Sequence, residues 1–405
     1  MLPARVDKNL PLAAPRPCRA HRSQDADLAH YHLAGRPRAV HCISRMPRYS
    51  SFRDFDWPLL ILTLIICALG VLQIYSVTHD YQTPTHDFRS AWWKQILYIL
   101  VALGAMWITA SIDYHTLMAQ TPILYGLSLA ALLATFVLGK RVAGARRWLF
   151  HFQISEFVKL VIILLVARYL SELKSNEMSA RDLFKLGGLV GIPTALVVAQ
   201  PDFSTGATYV PILIVGVLLA GVQWRHVVVI LLACGVAAPF VLKDFQKERL
   251  ITFRDPSHDP QGRGYQVIQS KIAVGDGGMW GQGVTHGTQS QLRFLPATHT
   301  DFIFAAFAEE HGFVSVVVAL GLYFLLLMQI VQNAQTAPDR AGMYICMGVA
   351  TLLLFHVLVN VGMVVGNVPV SGIPLPLMSA GGSNMISVFM MLGLVNNVRL
   401  RRFVG

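Results

Sequence analysis

The chain has 405 residues, of which 54% are hydrophobic and 14% are charged, and its mean hydropathy is +0.52. Soluble domains carry about a quarter charged residues, so this composition excludes an ordinary soluble protein and predicts a polytopic membrane protein. The formal net charge is +11, and residues 1–45 supply +5 of it through eight Lys or Arg and three Asp.

Those first 45 residues are rich in Pro, Arg and His and contain no apolar core of a signal peptide. We expect residues 1–45 to form a polar, disordered cytoplasmic tail, because such a composition cannot bury enough apolar surface to fold. The alternative is that translation begins at Met46, since MPRYSSFRDFDWPLL is a compact lead-in to the first span. Under both interpretations residues 46–405 form an integral membrane domain.

Ten apolar segments follow, at about 58–76, 96–112, 122–138, 157–170, 186–199, 206–222, 227–242, 302–331, 343–365 and 378–395. Several are long enough to cross a hydrocarbon core roughly 30 Å thick as helices. Their apolar character is continuous rather than alternating, which favours helices over a β-barrel. The fourth and fifth segments are short, so we expect their helices to recruit flanking polar residues. The sequence therefore predicts an all-α fold with ten transmembrane helices.

The distribution of Lys and Arg predicts the orientation. With the N-terminus inside, the inner segments after Met46 hold 11 of these residues and the short outer loops hold six. The positive-inside rule acts on short loops, so the 58-residue segment 243–300 between spans seven and eight is nearly exempt. Both termini are therefore predicted in the cytoplasm, with this large loop outside the membrane.

The short outer loop GKRVAGARRWLFHFQ holds four cations, among them Lys140, Arg146 and Arg147. One interpretation is interfacial snorkelling, in which Lys and Arg keep their charges in water. The other is an anion site, because guanidinium groups bind phosphate oxygens bidentately. A lipid pyrophosphate would suit a site at that position.

Asp301 lies where the eighth apolar segment begins, in the stretch THTDF. It could cap the N-terminus of that helix. However, it follows a long loop rich in Gly, Gln, Ser and Thr, a composition typical of sugar-binding surfaces. A partly desolvated carboxylate at the membrane boundary can also act as a general base.

Two further acids, Glu309 and Glu310, lie inside the same apolar segment, with His311 as a candidate partner. A straight helix places Glu309 about 12 Å deeper than Asp301. Intramembrane acids are candidates for function. We prefer a buried hydrogen-bonding role between helices, because that depth separates them from a water-soluble sugar.

Three other stretches carry candidate site residues. Glu156 and Lys159 are three residues apart on one helical face, which predicts an ion pair. Asp202, after the break at Pro201, predicts a helix N-cap. The Pro- and Gly-rich stretch VPVSGIPLPLMSAGGSN at membrane depth predicts a cavity. By contrast, GDGGMWGQG lacks the Walker pattern and does not predict nucleotide binding.

Six ordered motifs resemble the SEDS family: GARRWL, QISEFVK, QPDFSTG, GYQVIQSKIAVGDGGMWGQG, HGTQSQLRFLPATHTDFIFAAFAEEHGF and PVSGIPLPLMSAGGSN. The resemblance covers the chain from about residue 54 to residue 402, and HGTQSQL is closer to the elongation branch than to the division branch. It implies ten transmembrane helices and a peptidoglycan glycosyltransferase of the bacterial inner membrane that polymerises lipid II. It also implies a class B penicillin-binding protein and other elongation-complex membrane proteins as partners, and no nucleic acid.

The resemblance assigns roles to single residues. It implies that Asp301 is the essential aspartate, that Glu156 and Lys159 are the paired acid and lysine, and that Arg147 is the arginine before Trp. The chain departs from the family pattern at Ile154, at Ala297 and at Ala380, where the family has Pro, a common Glu and a usual Tyr. None of these departures affects Asp301.

The mechanistic hypothesis is that Asp301 takes the proton of a sugar hydroxyl while Arg147, Arg146 and Lys140 stabilise the departing lipid diphosphate. A divalent cation, Mg²⁺ or Mn²⁺, is an open addition to those cations, although no metal site is predicted from spacing. Grooves among the helices would hold the lipid tails. The other candidates are Gln289, His299 and Thr300 for substrate binding, and Glu156, Lys159, Asp202 and Ser379 for shaping the cavity.

Two alternatives belong to other classes. A lipid II flippase also fits outward cations and intramembrane acids, and lipid II supplied in detergent separates the two, because only an enzyme makes glycan there. A scaffold that recruits a partner enzyme leaves the polar outer loop beside Asp301 unexplained.

Overall fold

The computed structural model describes residues 54–78, 90–142, 145–149, 152–173, 178–225, 244–255 and 262–402, with isolated residues between 226 and 261. The predicted tail and the predicted span 227–242 lie outside the described residues. The helices are α1 (Trp57–Thr78), α2 (Ala91–Ser111), α3 (Tyr114–Ala119), α4 (Thr121–Leu138), α5 (Ile154–Ser171), α6 (Ala180–Ala199), α7 (Phe203–Ala207), α8 (Tyr209–Leu219), α9 (Asp244–Arg254), α10 (Arg263–Asp276), α11 (Thr288–Gln291), α12 (Ile303–Gln335), α13 (Arg340–Val364) and α14 (Gly382–Leu400).

Six of the described helices are long and apolar enough to cross a membrane: α1, α2, α4, α6, α12 and α13. The prediction of a multi-pass helical membrane protein is therefore confirmed. The two short apolar segments do recruit flanking residues, since α5 begins at Ile154 and α6 begins at Ala180. The sixth segment is interrupted, because α7 and α8 replace one continuous helix. The total of ten spans stays a prediction.

Helix α14 is the most enclosed helix of the bundle, with nearly all of its residues from Ser383 to Val398 buried. It packs along α2 at very short range, because a Cβ added at Gly393 would lie 2.0 Å from Thr109 Oγ1. Asn397 donates to the carbonyl of Thr109 at 2.8 Å and so closes the end of α2. Its buried residues include the polar side chains of Ser387, Asn396 and Asn397 as well as apolar ones.

Two short strands add a hairpin to the predicted all-α fold. Strands β1 (Lys140–Val142) and β2 (Ala145–Trp148) pair as an antiparallel hairpin in the segment that the sequence predicted as a loop. Strands of three and four residues are too short to give a recognisable alternation of apolar and polar residues. The hairpin precedes α5 and places Trp148 at the cavity described below.

Helix α12 is broken at Gly312 (φ 74°, ψ −178°), a feature that the sequence analysis did not predict. The glycine-rich stretch that precedes α11 packs into this break, with Phe313 N donating to Gly278 O at 2.9 Å and Gln282 N donating to Glu309 O at 3.0 Å. A Cβ at Gly281 would lie 2.2 Å from Glu310 O, so only glycine allows this approach. The stretch GDGGMWGQG is therefore a structural insert.

The break follows Glu309 and Glu310, so the helical segment that begins at Ile303 carries both acids, and their greater depth stays a prediction. The Glu310 carboxylate accepts hydrogen bonds from Gln73 Nε2 at 3.1 Å and Ser76 Oγ at 2.7 Å, both in the last turns of α1. Glu309 accepts from Gln289 N at 2.6 Å and Ser290 Oγ at 2.5 Å. Both acids are buried hydrogen-bonding groups, as predicted. His311 stacks on Phe307 instead of pairing with them.

Candidate active site

Asp301 lines a cavity of about 780 Å³. The walls come from the start of α5, the turn before α7, two helices of the large loop, the residues before α12 and the segment between α13 and α14. The lining residues are Trp148, Gln153, Glu156, Pro201, Asp202, Phe203, Ser204, Thr205, Arg249, Arg263, Gln266, Thr300, Asp301, Val370, Ser371, Gly372, Pro374, Ala380, Gly381, Ser383 and Asn384. The predicted cavity around VPVSGIPLPLMSAGGSN is therefore present.

The backbone at Asp301 is fixed by its neighbours. Its carbonyl accepts from Asn360 Nδ2 at 2.9 Å, which ties it to α13. Gly372, in the left-handed region at φ 71°, faces the carboxylate, since a Cβ there would lie 3.4 Å from Asp301 Oδ2. The N-cap of α12 is Phe302, so Asp301 lies one residue outside the helix. This position favours a role in the cavity over the alternative role as N-cap.

Ser379 shapes the segment that leads to Asp301. Its buried hydroxyl donates to Thr300 O at 2.7 Å and accepts from Leu375 N at 2.8 Å. The next amide, at Ala380, donates to His299 O at 2.9 Å. Thr300 lines the cavity beside Asp301, whereas the His299 side chain is half-buried, and this burial lowers the pKa of its imidazole. The imidazole is therefore neutral at pH 7.

Two arginines that sequence reasoning missed face the same cavity. Arg249 comes from α9 and Arg263 from α10, and Arg249 Nη1 donates to Ser204 Oγ at 3.3 Å. Both lie in the long segment 243–300, where no spacing or motif distinguished them from other cations. They place guanidinium groups within the enclosure that holds Asp301.

The predicted cations lie in the hairpin. Lys140 belongs to β1, and Arg146 and Arg147 belong to β2, but their side chains lie outside the described part of the structure. Trp148 follows them directly and lines the cavity. The hairpin backbone thus reaches the cavity, and the roles of these three cations stay predictions.

The floor of the cavity contains the predicted ion pair. Lys159 Nζ donates to Glu156 Oε1 at 2.8 Å, and both side chains are buried. A third member was missed: His356 of α13 places Nε2 3.1 Å from Lys159 Nζ. No sequence signal pairs His356 with a lysine 197 residues away. Glu156 faces the cavity, while Lys159 and His356 lie behind it.

Asp202 combines a structural role with a place in the cavity wall. Its Oδ1 accepts from Thr205 N at 3.4 Å, which is the predicted N-cap contact. Its Oδ2 accepts from Gln153 Nε2 at 3.0 Å, and this bond links the turn before α7 to the residue that precedes α5. The buried carboxylate therefore fixes the relative positions of two walls.

Of the three predicted saccharide contacts, Thr300 lines the cavity, whereas Gln289 and His299 do not. The backbone amide of Gln289 donates to Glu309. Across the described ranges, no group of three or more His, Cys, Asp or Glu residues could hold a metal ion. The arrangement around Asp301 instead offers a carboxylate, two guanidinium groups and polar walls, which together can accept a proton and bind an anionic leaving group.

The comparisons with known proteins agree with this geometry. The sequence model of a family described as "Cell cycle protein", covering FtsW, RodA and SpoVE, matches residues 57–402. The peptidoglycan glycosyltransferase MrdB of Escherichia coli K12 is 36% identical over 351 residues, covering 84% of this chain and 93% of MrdB. The peptidoglycan glycosyltransferase RodA of Treponema pallidum is 32% identical over 434 residues, covering 88% of this chain and 100% of that protein.

Solved structures give the same result. A chain from a peptidoglycan synthase complex that coordinates polymerization and crosslinking superposes with a TM-score of 0.73 at 32% identity, covering 87% of this chain and 99% of that chain. The rod shape determining protein RodA of Thermus thermophilus superposes with a TM-score of 0.65 at 28% identity, covering 86% and 98%. With the family match over residues 57–402, these findings show that the chain belongs to the SEDS family of FtsW, RodA and SpoVE proteins.

Proposed function

We propose that this protein is a peptidoglycan glycosyltransferase that polymerises lipid II during cell-wall elongation, with Asp301 as the general base. The observation that carries the proposal is the shared cavity of Asp301, Arg249 and Arg263. A volume of about 780 Å³ is within the usual range for ligand sites. Relatives named peptidoglycan glycosyltransferases, at 36% and 32% identity, support the same reaction class.

In the proposed step, the 4-hydroxyl of a GlcNAc unit attacks the anomeric carbon of the growing strand. Asp301 accepts the hydroxyl proton, the new glycosidic bond forms, and the bond to undecaprenyl diphosphate breaks with both electrons leaving on oxygen. The leaving diphosphate gains negative charge, which Arg249 and Arg263 stabilise. Arg147, Arg146 and Lys140 of the hairpin are additional candidates for this role. A divalent cation, Mg²⁺ or Mn²⁺, stays open.

The remaining candidates act by holding or contacting the substrate. Thr300, His299 and Gln289 are proposed contacts for the saccharide. Ser379, Asp202, Glu156 and Lys159 are proposed to keep the walls in place, and their buried hydrogen bonds support this role. The lipid tails would lie in grooves between helices, in contact with membrane lipid.

The proposed topology follows from the family and from the distribution of cations. We place ten transmembrane helices in the bacterial inner membrane, with both termini in the cytoplasm and the large loop between helices seven and eight outside. Residues 1–45 are proposed to be a cytoplasmic tail. In this orientation Asp301 opens to the side on which glycan strands grow.

A crosslinking enzyme is the proposed partner. One structural relative belongs to a complex that coordinates polymerization and crosslinking. A class B penicillin-binding protein supplies crosslinking by transpeptidation, so we propose it as the partner, together with other membrane proteins of the elongation complex. Nucleic acid has no proposed role.

The test is polymerisation of lipid II by the purified protein in detergent. Asp301→Asn keeps the shape of the side chain but removes the base, so glycan synthesis should fall by a factor of about 100 or more. Its folded yield should stay unchanged. The matched control is Asp276→Asn, an acid-to-amide change at the exposed end of α10, which should retain full activity.

The same assay separates the alternatives. A flippase would make no glycan in detergent, so glycan synthesis by the wild type excludes a protein that only transports. Full activity of Asp301→Asn would contradict its role as base. Repeating the assay with a chelator decides whether a divalent cation takes part.

A further inference from the structure

Two buried oxygen atoms on the cavity floor lack a partner. Glu156 Oε2 and Asn384 Oδ1 have no hydrogen-bond donor among the described residues, although both side chains are more than nine-tenths buried. Both residues line the cavity that holds Asp301. The two acceptors come from the first turns of α5 and α14, which are joined by a bond from Gln153 N to Ser383 Oγ at 3.0 Å.

Unpaired buried acceptors are costly. A buried polar group without a partner loses its hydration, and the cost is larger for a charged group. A sequence under no other constraint would satisfy these atoms internally or replace them with apolar ones. Two such atoms on one cavity wall therefore point to a donor that arrives from outside the fold.

The orientation of Glu156 is fixed from behind. His356 Nδ1 lies 2.8 Å from Leu352 O, and since a carbonyl only accepts, Nδ1 carries the proton. His356 Nε2 is then an acceptor for Lys159 Nζ, which also donates to Glu156 Oε1. This series of contacts holds Glu156 Oε1 on the ammonium group of Lys159 and leaves Oε2 without a donor.

We propose that Glu156 Oε2 and Asn384 Oδ1 form an acceptor subsite that binds hydroxyl or amide N–H donors of the saccharide, with His356 and Lys159 as positioning residues. The subsite rests on the proposed function, because it binds the amino sugar that Asp301 acts on. It complements the guanidinium groups of the same cavity, which donate hydrogen bonds and attract the diphosphate. One cavity therefore offers hydrogen-bond acceptors to the saccharide and hydrogen-bond donors to the diphosphate of the same glycolipid headgroup.

The decisive variant is Asn384→Leu, which removes the amide while nearly keeping its volume. Binding of lipid II is measured in the non-polymerising Asp301→Asn protein, with and without this change, by thermal shift in detergent. KM, kcat and the melting temperature are measured in the wild-type background. We expect lipid II binding to weaken roughly tenfold and KM to rise similarly. The melting temperature should stay equal or rise, because an unpaired polar group is replaced by an apolar one.

Two further variants sharpen the test. Asn384→Asp keeps an acceptor at the same position and should bind within roughly a factor of three of the parent. Glu156→Gln keeps one oxygen for Lys159 but presents an amide donor to the cavity, so it should weaken binding at least as much as Asn384→Leu. Each is compared at equal folded yield.

The results separate this proposal from the proposed function. Unchanged lipid II affinity in Asn384→Leu, or a loss of affinity that only parallels a loss of stability, would overturn the subsite while polymerisation by the wild type still stands. If the wild type binds lipid II but makes no glycan, the polymerase proposal fails, and weaker binding by Asn384→Leu still supports the subsite.

Discussion

Asp301 and the pair Glu309–Glu310 are acids of one short stretch, yet they meet opposite surroundings. Asp301 is partly exposed and lines a cavity with Arg249 and Arg263. The two glutamates are 0% and 1% exposed and are enclosed by donors from α1 and from α11. All three side chains are carboxylic acids, so side-chain chemistry alone does not separate them.

The difference shows what distinguishes a structural acid from a candidate catalytic one. Both carboxylate oxygens of Glu309 and of Glu310 accept hydrogen bonds from fixed protein groups. A carboxylate bound in this way stabilises a fold but cannot reach a substrate. A carboxylate on a cavity wall beside guanidinium groups can exchange a proton with a ligand. The distinction depends on partners brought together by the fold.

The largest effect is expected at Glu309. Glu309→Ala leaves the backbone amides of Gln289 and Ser290 and the hydroxyl of Ser290 buried without an acceptor. The free energy of unfolding should fall by about 3 kcal/mol or more. Thermal unfolding in detergent measures this loss, with Asp301→Ala as the comparison. A larger loss in Asp301→Ala than in Glu309→Ala would reverse the two assignments.

The next effect tests the insert at the helix break. Gly312 has φ 74°, and a Cβ there would lie 2.3 Å from Gly281 N, so Gly312→Ala should destabilise the protein by about 2 kcal/mol. The matched control is Gly321→Ala in the same helix, where a Cβ meets nothing within 4 Å. It should leave stability unchanged or raise it by roughly 0.5–1 kcal/mol. Equal melting temperatures for the two variants would contradict the proposed packing.

A smaller effect, on activity alone, is expected at the cavity arginines. Arg263→Gln removes one charged donor from the proposed diphosphate site, so kcat/KM should fall roughly tenfold. The melting temperature should not change. Arg254→Gln, at an exposed position in the last turn of α9, is the control. Equal activity of the two variants would remove Arg263 from the site.

The smallest effect is a pH dependence at His299. Burial lowers the pKa of its imidazole below 6.5, so near that pH the unfolded chain binds more protons than the folded one. Stability should therefore decline as pH falls below about 6.5 and level off below the folded pKa. His299→Asn should flatten this part of the stability profile. An identical profile in the variant would show that other groups cause it.

Local patterns predicted much of this molecule. Continuous apolar runs located α1, α4 and α13 to within a few residues, because length and hydropathy alone define such helices. Spacing of three residues predicted the contact of Glu156 with Lys159, and the break at Pro201 predicted the cap at Asp202. All of these features depend on residues close in sequence.

Features that depend on distant residues were missed. His356 contacts Lys159 across a separation of 197 residues. Arg249 and Arg263 line the cavity only because the segment 243–300 packs against it. The break at Gly312 was also missed, because a glycine in an apolar run gives no sign of a positive φ. Sequence reasoning proposed Asp301 as a site residue, but only the tertiary structure shows which residues surround it.

The enclosure of Glu309 and Glu310 also constrains the order of assembly. Their donors belong to the last turns of α1 and to the stretch around Ser290, so three pieces separated by up to 237 residues must meet before both acids are satisfied. Contacts of such long sequence separation form slowly. The two acids are therefore satisfied only after α1, α11 and the start of α12 have packed together.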